Sequence, residues 1–162
     1  MPTWCSRPGD IRPGGGHMPG MGSLRHVELL RRRARRFLSY AEEALRLGDY
    51  DLACFYADQA AQLAVKACLL RLTGHMPRVH GLRELLGAVS KHLSGLGRED
   101  LAGRVSAFTR EHRLGLSRLE EAYVAGRYLA REFEREECVR LARELLSLVE
   151  ELEGAAFGRG GG

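Results

Sequence analysis

The sequence predicts an all-α fold, an up-and-down antiparallel bundle of four to five helices. Three observations carry this. Apolar residues recur at i, i+3, i+4 and i+7 through five stretches. Glycine and proline interrupt the chain between those stretches and rarely within them. No stretch alternates apolar and polar residues as a half-buried strand would. With 44% hydrophobic residues in 162, the chain has enough apolar material for a single core.

The stretch Asp49 to Gly74 organises the rest. It reads as one helix of roughly seven turns. Asp49 stands where a carboxylate caps free amides, and Gly74 stands where a left-handed residue ends a helix, with Pro77 just beyond. A row of small residues (Ala53, Ala57, Ala60, Ala61, Ala64, Ala67) predicts close approach of a neighbour. A row of larger ones (Leu52, Phe55, Tyr56, Leu63, Leu70) predicts filling of the opposite side. A helix apolar on most of its circumference is wrapped by others.

Residues 1–22 hold four of the five prolines and six glycines, which predicts a flexible leader, with Met18 and Met21 as alternative starts. The leader has no apolar segment of the kind a secretory signal needs. The bundle is expected over 23–153. Ser23 caps a first helix to about Leu47, with face Leu24, Val27, Leu30, Ala34, Phe37 or Leu38, Ala41 and Leu45. Arg31, Arg32, Arg33, Arg35 and Arg36 surround that face. They read as a solvated surface paired with Glu28, Glu42 and Glu43, or as a phosphate-contacting patch. After the central helix and a turn at 75–81, a short third helix carries Leu82, Leu85, Leu86, Val89 and Leu93. A fourth is expected from Glu99 to Ala125 with face Leu101, Val105, Phe108, His112, Leu116, Leu119 and Tyr123, weakened at Gly115. The segment from Gly126 to Tyr128 breaks the chain. A fifth helix, about 131–153, turns Cys138, Leu141, Ala142, Leu145, Leu148, Val149 and Leu152 inward. The tail 154–162 is expected to be disordered.

The net charge of +4 fits weak attraction to polyanions and nothing more specific. Arg and Glu abound, Asn is absent and Gln occurs twice, a thermophile-like composition that a GC-rich genome also produces. The four cysteines form no CxxC pair, which argues against zinc. Cys54 and Cys68, fourteen residues apart on one helix, cannot bond to each other. They read as buried thiols in a reducing compartment, with a Cys54–Cys138 bridge as the alternative for a hyperthermophile. No apolar run is long enough to span a membrane, and a cytoplasmic protein without metal or cofactor is expected.

Gly48-Asp49-Tyr50, Gln59-Ala60-Ala61 with Lys66, His80 followed by Leu82 and Leu85-Leu86, and Tyr123 with Arg127-Tyr128 occur in an order that resembles the HEPN domain (higher eukaryotes and prokaryotes nucleotide-binding) over roughly 24–153. The resemblance implies a helical bundle, commonly a homodimer. It also implies a partnership with a separately encoded minimal nucleotidyltransferase, in some cases as a toxin–antitoxin pair, with a nucleotide or RNA as ligand. The dimer draws further support from large residues such as Phe55, Tyr56 and Leu116, expected on faces that a monomer leaves open.

Other members of the family are metal-independent ribonucleases that carry an arginine followed, after four to six residues, by a histidine. Such cleavage needs a base for the 2′-hydroxyl and a cation for the developing charge. Arg127 lies where the family's functional arginine is expected, but no histidine follows it. Arg104 and His112 are too far apart, Arg71 and His75 too close, and the one literal match, Arg12 with His17, falls in the leader. The expectation is therefore a non-catalytic nucleotide- or partner-binding subunit. The alternatives are a ribonuclease with a degenerate motif and a helical interaction module that binds no nucleotide.

Candidate binding residues are Tyr123, Arg127 and Tyr128, where a guanidinium between two phenol rings suits a phosphate and a base, and Gln59, Lys66 and His80. The structural readings of the same residues are an Arg127 that caps helix four, a Lys66 that snorkels, and a His80 that caps the third helix. His112 reads as a hydrogen-bonded core histidine.

Overall fold

The computed structural model describes residues 21–125 and 132–158. Within them lie α1 (Met21–Leu47), α2 (Tyr50–Thr73), α3 (Leu82–Gly95), α4 (Glu99–Glu111), α5 (Arg113–Ala125) and α6 (Glu132–Phe157). Among the described residues there is no strand, as the all-α reading requires, and no helix is long and apolar enough to cross a membrane.

The sequence places α2 at the centre, and the fold agrees: α1, α3, α5 and α6 all pack on it. All six alanines of the small row are buried, with α1 lying on Ala60, Ala64 and Ala67 through Val27, Leu30 and Ala34. The large row departs from expectation. Only Leu70 is buried; Phe55, Tyr56 and Leu63 are half-buried and Leu52 is 48% exposed. The alanines surround the buried side of α2 so completely that the large row becomes its outer edge. Leu116, expected on an open face, is fully buried in the main core.

The helix ends are set mainly by backbone. Gly48, at φ 80°, closes α1, and the Asp49 amide donates to the Ala44 carbonyl at 2.9 Å. Asp49 does occupy the N-cap of α2, but its carboxylate makes no capping bond; its carbonyl accepts from the Ala53 amide instead. Gly74, at φ 75°, ends α2 as predicted. His80 is not the cap of α3: Gly81 holds that position. The acceptor for the α3 amides comes from elsewhere, since Glu120 Oε1 on α5 accepts from the Arg83 amide at 2.8 Å.

The single fourth helix is in fact two. The chain turns at His112 (φ −104°, ψ 22°), three residues before the predicted weak point. α4 packs mainly on α3, whereas α5 must reach α2 and α6. Gly115 eases the approach to α6, because a Cβ there would sit 2.9 Å from Leu141 Cδ2 and the leucine methyl would have to shift. At the other end, α6 continues through Gly154 to Phe157, residues assigned to a disordered tail. Tertiary contacts hold this last turn: the Arg71 guanidinium lies 4.4 Å over the Phe157 ring, and Arg98 Nη1 donates to the Ala155 carbonyl at 3.0 Å.

Cys54 on α2 and Cys138 on α6 form a disulfide, their Cα atoms 5.3 Å apart. This corrects the reading of Cys54 as a reduced thiol; sequence cannot show that the two helices meet at this level. Cys68 remains a free buried thiol, pushed up to about 12 by burial. The bridge closes a loop of 84 residues, so in the chain-entropy view its loss costs roughly 2–5 kcal/mol. We expect reductant, or Cys54→Ala with Cys138→Ala, to lower the melting temperature by several degrees. An unchanged melting curve under reductant would show that the bond does not restrain the unfolded chain.

Candidate functional site

The polar residues that face α2's neighbours form a short network. Asp58, Gln62 and Lys66 recur every four residues and so line one side of the helix. Asp58 is fully buried. Gln62 Nε2 donates to its Oδ2 at 3.0 Å, while Oδ1 has no hydrogen-bond partner among the described residues. Burial pushes the Asp58 carboxyl up to about 7, and the nearby Glu120 charge acts in the same direction; the Gln62 amide and the Lys66 charge oppose them. Lys66 is half-buried, and burial pushes its ammonium below its ordinary range while Asp58 partly restores it. Lys66 Nζ lies 3.4 Å from His80 Nδ1, so the loop before α3 is tied to α2.

Gln59 is on the outer edge of α2, on the stripe Leu52, Tyr56, Gln59, Leu63 and Lys66, none of which is buried. The fold thus joins Lys66 to His80 and leaves Gln59 two turns away on the same stripe. The other candidates, Arg127 and Tyr128, lie outside the described residues, as does the side chain of Tyr123.

Two features escaped sequence reasoning. The Asp58–Gln62 pair was hidden because Asp58 reads there as one more helix charge; its i, i+4 spacing to an amide was the available signal. The second is a cleft of about 430 Å³ at the α4–α5 break, lined by His112, Arg113, Arg118 and Arg140 with Glu137 and Glu144. His112 is less buried than expected: its Nε2 lies 3.5 Å from Glu144 and its ring 4.4 Å from that of Phe108. Arg118 Nη1 is 3.8 Å from Glu137, while Arg113 and Arg140 have no carboxylate partner among the described residues. Also among them, no group of three His, Cys, Asp or Glu side chains is placed to hold a metal ion.

Asp58 links protonation to stability. In the unfolded chain its carboxyl loses the proton near 3.8, in the folded one near 7. Between these values the folded state binds the extra proton, so stability falls as pH rises through this window and levels off above it. The effect is at most about 4 kcal/mol, from three pKa units at about 1.4 kcal/mol each. Asp58→Asn should flatten the melting temperature between pH 5 and 8 and raise it at pH 8. An equally steep dependence in the variant would place the titrating group elsewhere.

The comparisons agree with the geometry. The family model described as HEPN domain matches residues 27–152, from the first turns of α1 to the last turns of α6. No curated protein and no solved structure gives a significant match to the chain. With the matched region covering most of the sequence and the fold an all-α bundle centred on α2, the chain belongs to the HEPN domain family.

Proposed function

We propose that this HEPN protein is a non-catalytic binding subunit, acting as partner or nucleotide-binding subunit of a separately encoded minimal nucleotidyltransferase, as in a toxin–antitoxin pair. The observation that carries the reading is the placement of the histidines. No arginine precedes His26, His75, His80, His92 or His112 at the ribonuclease spacing. The two histidines with defined partners face Lys66 and Glu144, not an arginine. Lys66 on the outer edge of α2 and His80 on the loop before α3 supply cationic and hydrogen-bonding groups for an anionic ligand. The proposal includes a homodimer, which rests on the family resemblance and not on the α1–α2 face.

One observation favours the ribonuclease as a second reading. His112 and Arg113 both line the α4–α5 cleft, a base and a cation of the kind metal-free RNA cleavage requires, although the contact His112 makes is with Glu144.

Three assays separate the readings. Under the first, purified protein leaves RNA intact without metal, nucleotide raises its melting temperature, and a co-expressed nucleotidyltransferase co-purifies with it. Lys66→Ala should reduce the nucleotide-induced shift by an amount equivalent to about 1.5–3 kcal/mol, as for a charged hydrogen bond. RNA cleavage that disappears in His112→Ala would replace this reading with the second. Absence of both nucleotide binding and cleavage would leave the interaction module.

A further inference from the structure

The fold divides the arginine run of α1 between two flanks. Arg31 and Arg35 turn to α6, where Arg31 pairs with Glu153 and Arg35 Nη2 lies 3.3 Å from Glu150. Of the predicted acidic partners only Glu28 takes part, at 2.6 Å from Arg31; Glu42 pairs with Arg143 of α6, and Glu43 with Arg46. Arg32, Arg33 and Arg36 are left exposed and have no carboxylate partner among the described residues.

Arg33 and Arg36 share their flank with Phe37 and Tyr40, at i, i+3, i+4 and i+7. The two rings join Tyr56 of α2, with centroids 6.2 Å (Phe37–Tyr40), 6.0 Å (Phe37–Tyr56) and 5.7 Å (Tyr40–Tyr56) apart. Tyr40 is 47% exposed. The surface continues along the outer edge of α2 through Gln59 to Lys66. No Asp or Glu stands at 33, 36, 37 or 40 of α1, nor at 52, 56, 59, 63 or 66 of α2.

We propose that this α1–α2 surface binds a single-stranded nucleic acid, with phosphates on Arg33 and Arg36 and bases stacked on Tyr40 and Tyr56. The inference names the ligand of the binding reading above, and it stands or falls separately from the nucleotidyltransferase partnership. Exposed rings alone would suit any apolar partner. Unpaired guanidiniums beside them select a polyanion whose units also have flat faces, which is the combination single strands offer. A duplex keeps its bases stacked inside, where rings on a helix surface do not reach. A second copy docked through the same face would bring the Arg33–Arg36 flanks together, and the acid nearest them on that flank, Glu43, is already paired with Arg46.

The test measures anisotropy of short labelled RNA and DNA, single-stranded and duplex, with the full chain at several salt concentrations. Single strands should bind more tightly than duplex; RNA against DNA tells which strand is preferred. Arg33→Ala with Arg36→Ala should weaken binding and lower the slope of log Kd against log salt by roughly 1.4, two single-strand phosphate contacts. Tyr40→Ala should weaken binding roughly ten-fold and leave the slope unchanged. Lys91→Ala with Arg104→Ala, an equal charge change on α3 and α4, should bind nearly as wild type. All these residues are exposed, and unaltered melting of each variant confirms its fold. The proposal is overturned if no single strand binds, if the α1 variants bind like wild type, or if the α3–α4 control weakens binding equally. It is also overturned if the α1 variants convert a dimer to a monomer in sedimentation without changing nucleic-acid affinity. Failure of the nucleotidyltransferase to co-purify would touch only the partnership.

Discussion

Everything in this bundle is arranged around the burial of α2. Its alanines let α1 settle against one side, with Val27, Leu30 and Ala34 packed onto Ala60, Ala64 and Ala67. Alanine costs least in helix propensity and loses no side-chain entropy on burial, so a helix built on it forms readily and can be enclosed closely. Larger side chains from the surrounding helices, among them Leu82, Leu85, Leu116, Leu119 and Leu145, fill the remaining volume. The Cys54–Cys138 bond fastens α2 to α6 on the same principle, since small side chains bring the two backbones within reach.

Burying α2 so fully leaves little room for polarity, which gives the exceptions their meaning. Asp58 is enclosed with one oxygen satisfied by Gln62 and the other unpartnered among the described residues. A carboxylate in that position is costly as an anion, and protonation is the direct relief. Glu153 is the parallel case on α6: it is buried and raised by burial, yet held by Arg31, whose charge opposes the shift. Each acid keeps one oxygen without a hydrogen-bond partner among the described residues; a guanidinium opposes the shift at Glu153 and an amide chiefly opposes it at Asp58.

Charge on the outside follows from which helices touch. Among the described residues α1 packs on α2 and α6, so one of its flanks is covered by ion pairs to α6 and the opposite flank lies beside the aromatic rings. The same arginine-rich segment therefore performs a structural task on one side and presents free cations on the other. At the far end of the bundle, the turn at His112 redirects the chain from α3 to α2 and α6 and opens the cleft lined by arginines and glutamates.

Sequence alone determined the helical class, the central position of α2, the glycine that ends it, and the lack of an arginine–histidine pair at ribonuclease spacing in residues 21–162. Each of these depends on residue types within a few positions of one another, where helical periodicity and cap chemistry act. Lys66 and Gln59 were legible as candidates because they are polar on an otherwise apolar helix, although His80 as the partner of Lys66 was not. The tertiary structure decided what depends on distant partners. Cys54 meets Cys138 across 84 residues, Glu120 caps α3 from 37 residues away, and Arg31 reaches Glu153 across 122. None of these spacings carries a local signal. Only the packing of α2 against its neighbours brings such groups together, and that packing alone decides which arginines are paired with a carboxylate among the described residues and which are not.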